Sequence, residues 1–332
     1  MPSKKPAYDL IAVGESLRDV FYMINEASLS CTINKDRCLL CLEYAEKIPV
    51  QHIVKVPAAG NSANAAVGAA RLGLKTAFVS WVGDDNAGKN LKEALGKEGV
   101  DLHYIATDRA YPTSEATIIG FQGERTQLVY FQPRAYKLPK LPPARCIYYS
   151  AMGTKHDAFD RALIRELDRH PEARFVFQPG TTHVRAGLKK MSPLLKRSWL
   201  FILNKDEAHQ LLADGERTTC NLLEAFHHHG ADTVVITDGK NGADAWDGND
   251  HWHMPIFDGR PIERTGAGDS YAIAMTVARL MGYDLPTSLR WSSANSWSVI
   301  MQIGPQAGLL TKRKLDAVMK KYANIKPSLH TH

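Results

Sequence analysis

The stretch Glu263-Arg264-Thr265-Gly266-Ala267-Gly268-Asp269-Ser270 is a turn of small residues that runs straight into the apolar segment Ala267–Met281, whose spacing predicts a helix. A helix that begins among glycines leaves backbone N–H groups bare and aimed at a common place, which suits an anion. Asp269 then falls in the first turn. A carboxylate is welcome there as a cap, yet it repels a bound phosphate unless it has a second task. Accepting the proton of an alcohol that attacks phosphorus is such a task, with the backbone N–H groups of the helix start holding charge on the transferring group. Capping alone is the plainer reading of the same residues.

Working outward, short apolar runs suited to buried parallel strands alternate with amphipathic helical stretches, the pattern of an α/β fold. Strands are expected at Asp9–Val13, Thr76–Val82, Cys146–Ser150, Phe175–Gln178, Leu200–Leu203 and Thr233–Thr237. Helices are expected at Ser62–Leu72, Ala87–Glu98, Phe159–His170, Lys205–Ala213, Thr219–His229, Ala267–Met281, Leu285–Gln302 and Lys312–Tyr322. Two segments, Ala27–Val56 and Ser114–Phe131, turn to β-type alternation, with turn residues at Asn34-Lys35-Asp36 and Gln122-Gly123-Glu124. A sheet that small leans on the main domain or on a second subunit, so the two segments are expected to form one lid over a cleft and to offer a homodimer contact. Residues 1–332 thus read as one domain with a lid at about 27–56 and 114–131, without internal repeats.

Composition narrows the function. Of 332 residues, 44% are hydrophobic and 23% charged, which suits a globular core and excludes disorder. A net charge of +6, unclustered, argues against nucleic acid. The N-terminus passes from Lys4-Lys5-Pro6 into Asp9–Val13 without a signal-peptide core, and no apolar run is long enough for a bilayer, so a cytoplasmic location is expected. Five cysteines then suggest reduced thiols. Cys38 and Cys41 have the gap of half a zinc site and Cys31 supplies a third sulfur, but a closed site needs a fourth ligand; packing as small hydrophobes is the favoured reading. His227, His228 and His229 precede Gly230 at a helix end, where they suit the dipole. Gly83–Asn90 has P-loop spacing, but Asn90 stands where a Mg-binding hydroxyl is required and Asp84 and Asp85 fall where a triphosphate would lie, so it reads as a turn and helix start.

Other candidate site residues cluster at strand ends. Ala59-Gly60-Asn61-Ser62-Ala63-Asn64 opens a helix, and the Asn64 amide can bond sugar hydroxyls. Asp19 follows the first strand, at the edge where open α/β sheets bind ligands. Asn204-Lys205-Asp206-Glu207 closes a strand and opens a helix, a place suited to holding metal-bound water beside phosphates. Thr237-Asp238-Gly239-Lys240-Asn241-Gly242 closes another, with glycines that admit a nucleotide close to the backbone. Each is also ordinary turn chemistry when taken alone.

Taken together, from about Asp9 to Tyr322, these motifs occur in the order found in the ribokinase-like, or PfkB-type, carbohydrate kinases, which the chain resembles. The resemblance implies a central mostly parallel sheet flanked by helices with a small β-sheet lid, an anion hole at Gly266 to Gly268, and Asp269 as catalytic base. It implies sugar binding at Asp19, Gly60 and Asn64, with Asn204 and Glu207 near phosphate and Mg2+, the latter through water. Thr237, Gly239 and Gly242 resemble the nucleotide loop, and Asn295 resembles the position lining the adenine pocket. Pro112-Thr113 and Gly123–Thr126 look like the lid hairpin. The chain departs from the family at Ala59, where a glycine is usual, and at Glu263-Arg264, where Asp-Thr is customary. That Asp helps bind a monovalent cation in many members, so Glu263 is this chain's candidate for K+.

The expected activity is transfer of the γ-phosphoryl group of ATP, with Mg2+, to a primary hydroxyl of a ribose- or fructose-type sugar or of a nucleoside. Tyr130, Phe131 and Tyr136 are candidate walls for a nucleoside base. The alternative is a pseudokinase that binds or scaffolds without chemistry, which an intact Gly266, Gly268 and Asp269 disfavours.

Overall fold

The computed structural model describes residues 6–32, 38–212 and 218–330. Its main feature is a ten-stranded sheet. Tyr8–Val13 lies between Ala144–Tyr149 and Thr76–Gly83, all parallel, with Ile105–Asp108 beyond the latter. From Ala144–Tyr149 the parallel series continues through Arg174–Phe177, Leu200–Asn204 and Thr233–Thr237. Each strand is a short, nearly continuous apolar run because both faces are covered, and alternate residues enter opposite layers. Leu10 and Ala12 pack with Ile273 and Leu289 of the helices Ala267–Leu280 and Leu285–Ile300; Ile11 and Val13 pack with Phe159, Leu194 and Phe226 on the other side.

The expected strands and helices are present to within two or three residues at their ends; residues 213–217, where one expected helix ends, lie outside the described residues. Five strands were not foreseen: Ile105–Asp108 at one edge of the main sheet, Leu17–Ile24 in the small sheet, and three more. Ala243–Trp246, His251–Met254 and Ser328–Leu329 extend the sheet in antiparallel fashion past Thr233–Thr237.

The lid differs from expectation in its membership. Its four strands run in the order Val50–Ala59, Leu17–Ile24, Ser114–Phe121, Glu124–Tyr130, with Leu17–Ile24 antiparallel to the first and parallel to the third. Leu17 and Phe21 join Ala59, Ala116 and Ile118 in a small core of their own, and period-two alternation puts Asp19 on the same face. The first half of the Ala27–Val56 segment is not part of this sheet: Ser28–Cys31 and Cys38–Cys41 pair only with each other. That pairing corrects the thiol reading, since it sets Cys31 opposite Cys38 with Cα atoms 4.0 Å apart, and the two form a disulfide; Cys41 remains free. The expected turn at Asn34-Lys35-Asp36 lies outside the described residues.

The lid is pinned to the main sheet by a buried charge cluster. Arg134 donates to Glu15 at 3.3 Å, to Asp108 at 3.1 Å and to the Pro112 carbonyl at 2.6 Å, and Ser114 donates to the same Glu15 oxygen. Among the described residues no helix is long and apolar enough to cross a membrane.

Candidate active site

The carboxyl ends of the parallel strands and the inner face of the small sheet enclose a cleft of about 1760 Å³. Single small-molecule pockets run to about 1,000 Å³, so this one has room for two substrates side by side. Asp19, Gly60, Asn64, Asn204, Glu207, Thr237, Gly239, Gly242, Gly266, Ala267, Gly268 and Asp269 all line it.

The turn before the helix Ala267–Leu280 is built by Gly266 and Glu263. Gly266 has φ 79°, a left-handed conformation, and a Cβ there would lie 2.5 Å from Pro305. Glu263 folds back to accept from the amide and hydroxyl of Thr265, both at 2.6 Å. Of the amides expected to hold an anion at Gly266 to Gly268, that of Ala267 is engaged instead, donating to the Arg264 carbonyl at 3.3 Å; the amides of Gly268 and, one residue on, Asp269 meet no carbonyl. A Cβ on Gly268 would meet nothing within 4 Å; a side chain there would occupy the space in front of the amides.

Asp269 is buried and held by three amide groups. Asn61 donates to Oδ1 at 2.9 Å, Gln178 to Oδ1 at 3.1 Å and Asn64 to Oδ2 at 2.8 Å. The tyrosine hydroxyl of Tyr148 donates to Gln178 Oε1, and Gln306 donates to Asn64 Oδ1 at 2.9 Å, so these two amides present their N–H sides to the carboxylate. Burial raises the Asp269 pKa; the three amides and the positive charge of Arg125 oppose it, leaving a net rise. A buried carboxylate with a raised proton affinity, held in place by neutral donors, has the chemistry of a proton acceptor.

Asn61 and Asn64 sit in the first turn of the helix Asn61–Arg71. Gly60, at φ 101°, caps that helix, and a Cβ would lie 2.9 Å from the Glu15 carbonyl, so only glycine permits this approach to the first strand's end. Asp19 is buried, and its pKa is pushed up to about 7, chiefly by burial and further by Asp269 and Glu263. Asn204 and Glu207 bond reciprocally, Asn204 Oδ1 accepting from the Glu207 amide at 2.8 Å and Glu207 Oε2 from the Asn204 amide at 3.0 Å. Burial and the charge of Asp269 help to raise Glu207 to about 6.

Two expectations fail. Asn295 does not face the cleft: its amide donates to the Ser270 carbonyl and accepts from the Leu310 amide, locking neighbouring segments together. One face of the helix presents Ser293, Ser296, Trp297 and Ile300 to the cleft instead. Tyr136 likewise belongs to the core, edge-on to Trp81 at 4.8 Å, whereas Tyr130 and Phe131 line the cleft. Sequence reading also missed three contributors. Asn61 stood inside a quoted motif, Gln178 ended an expected strand, and Arg125 lay on the lid hairpin. Arg125 comes within 3.6 Å of Glu263, while Arg264 reaches Glu124 at 3.4 Å, so the lid's tip is tied to the turn before the helix Ala267–Leu280 by two charge pairs.

With this geometry in view, comparison with known proteins is decisive. Residues 23–312 match the family model of the pfkB family carbohydrate kinases. The chain belongs to the PfkB carbohydrate kinase family. It is similar to a 5-dehydro-2-deoxygluconokinase of Bacillus subtilis, 22% identical over 340 residues that cover 96% of this chain and 98% of that protein. Its fold is that of the Arabidopsis thaliana ribokinase solved with ribose and ATP, with a TM-score of 0.76 and 20% identity over 95% of this chain and 99% of that one. A nucleoside kinase of Methanocaldococcus jannaschii superposes similarly, with a TM-score of 0.74 and 20% identity over 94% and 98% of the two chains.

Proposed function

We propose that this PfkB kinase transfers the γ-phosphoryl group of ATP to a primary hydroxyl of a small sugar, of the ribose or fructose type, with Asp269 as general base. The observation that carries the reading is the placement of a buried carboxylate, held by three amides, in the same helical turn whose backbone N–H groups face the cleft. Asp269 accepts the hydroxyl proton as the oxygen attacks phosphorus, and the amides of Gly268 and Asp269 receive the charge of the transferring group. Asp19, whose carboxylate has no hydrogen-bond donor among the described residues, and Gly60 hold the acceptor's other hydroxyls at the lid side. Asn64 divides its amide between the base and the acceptor.

The nucleotide is read at the opposite end, along Thr237, Gly239 and Gly242, with Ile256, Phe257, Trp297 and Ile300 as the apolar wall for the base. Glu207, with one oxygen left over from its reciprocal bond with Asn204, would hold the water shell of Mg2+, which would neutralise phosphate charge when bound. Glu263 suits a monovalent cation, because its Oε2 is buried without a partner. The four-stranded sheet excludes water that would otherwise hydrolyse ATP. An exposed apolar set on that sheet, Ile53 with Leu128 and Tyr130 at the cleft's rim, is the contact a homodimer would cover.

ADP formation from ATP and Mg2+ against a panel of pentoses, ketohexoses, sugar acids and nucleosides tests the reading. Turnover with a sugar and its loss in Asp269→Asn are expected. Nucleotide binding without turnover on any acceptor would favour the pseudokinase.

A further inference from the structure

Away from the cleft, one carboxylate collects three imidazoles. Asp244 Oδ1 lies 3.0 Å from His251 Nε2, 3.2 Å from His253 Nδ1 and 3.8 Å from His330 Nε2. Strand register brings this about: Asp244 pairs with His253, His253 pairs with Ser328, and the His330 amide donates to the His251 carbonyl at 2.8 Å, so all four side chains share one face of the antiparallel extension. Ala243 and Ala245 point the other way, into the core beneath the site helices. Nothing in the phosphoryl-transfer reading uses these residues.

We propose that Asp244, His253 and His330 bind one divalent transition cation, with zinc the best fit, and that the ion clasps the C-terminal strand Ser328–Leu329 to the edge of the main sheet. The ligand atoms of these three lie within 4.8 Å of one another. Donors placed about 2.0–2.1 Å from a tetrahedral ion stand roughly 3.4 Å apart, and the carboxylate-to-imidazole separations of 3.2 and 3.8 Å bracket that value. Two imidazoles and one carboxylate favour zinc over magnesium or calcium, which take oxygen ligands. His251 acts one step back: it donates to Asp244 and its ring stacks on that of His330 with centroids 4.5 Å apart, orienting two of the three ligands. His330 is half exposed, so the ion enters from solvent and keeps a position for water.

The clasp has a mechanical consequence. Ser328–Leu329 is only two residues long and exposed, too short to hold by ladder bonds alone. An ion that bridges His330 to Asp244 and His253 makes the tail part of the hairpin.

The test uses the full chain without a histidine tag, titrated with zinc chloride alone after treatment with a chelator and dialysis. Calorimetry should give one zinc per chain, and His253→Ala and His330→Ala should each weaken binding by at least about tenfold. His228→Ala/His229→Ala, at the end of the helix Thr219–His228 and outside the cluster, should leave it unchanged. Hydrogen exchange at residues 328–330 should slow on adding zinc to the wild type and not to His253→Ala, whose fold is checked by its melting temperature. Absence of stoichiometric zinc binding would overturn the proposal. So would binding that survives both single substitutions, or binding without added protection of the tail.

Discussion

Replacing Asp19 by Asn should make the ligand-free protein more stable, and increasingly so as the pH rises. Asp19 is buried beside two other carboxylates, and its pKa stands at about 7 against 3.8 for a free Asp side chain. Between these values the folded chain binds a proton that the unfolded chain has released. A raised carboxylate contributes fully only below the unfolded pKa, and its contribution is lost as the pH climbs to the folded value. One pKa unit corresponds to about 1.4 kcal/mol, which bounds the whole loss on the order of 4 kcal/mol and the part between pH 5 and pH 8 at about 2–3 kcal/mol. Asn is nearly isosteric with protonated Asp and carries none of this dependence. For a chain of this length, about 2–3 kcal/mol corresponds to a melting-temperature gap that widens by roughly 3–4 °C over the interval. Paired thermal melts of wild type and Asp19→Asn without nucleotide or sugar, at pH 5 and pH 8, measure it. A gap that stays constant, or narrows toward pH 8, would refute the claim that Asp19 is held against its charge.

Asp269→Asn should bind ATP and melt near the wild-type temperature while single-turnover transfer falls by about 10²–10⁴, since an amide accepts no proton at neutral pH; transfer near the wild-type rate would return the segment to a capped helix start. Asp19→Ala and Asn64→Ala should weaken the acceptor by roughly ten- to hundred-fold with little change in nucleotide affinity, and calorimetry showing equal losses of both would reassign these residues. Arg134→Ala leaves the buried Glu15 without its cationic partner and should destabilise by about 3–5 kcal/mol; a melting temperature within a degree of wild type would mean that the cluster does not pin the lid.

What was legible in the sequence follows from how local each feature is. The anion-binding turn is a run of eight consecutive residues, and backbone geometry alone makes Gly266 and Asp269 meaningful. The parallel strands were visible because burial on both faces leaves unbroken apolar runs. Gln178 was not legible as a site residue: it meets Asp269 across 91 positions of sequence, and nothing around it differs from an ordinary strand end. Asn295 misled for the opposite reason, because on a helix a neighbour one position away points about 100° elsewhere, and here Ser296 and Trp297 take the cleft. The Cys31–Cys38 bond depends on hairpin register, which residues scattered among apolar neighbours do not specify.

The lid and the base are coupled through Arg125, and this coupling is testable. Arg125 belongs to the strand Glu124–Tyr130 yet stands 3.6 Å from Glu263, on the turn that leads to Asp269, and its charge opposes the burial that raises the Asp269 pKa. On the proposed reading, an Arg125 held beside Glu263 makes Asp269 easier to deprotonate, so the residue that ties the lid strand to the turn would also ready the proton acceptor. Arg125→Gln removes the charge and keeps a side chain of similar reach. The Asp269 pKa should then rise, moving the acidic limb of kcat against pH to higher pH, while the plateau at high pH, where Asp269 is ionised in both proteins, changes less. A purely structural role for Arg125 would instead lower kcat equally at every pH. An acidic limb that stays in place while the plateau falls would break the link between the lid and the base.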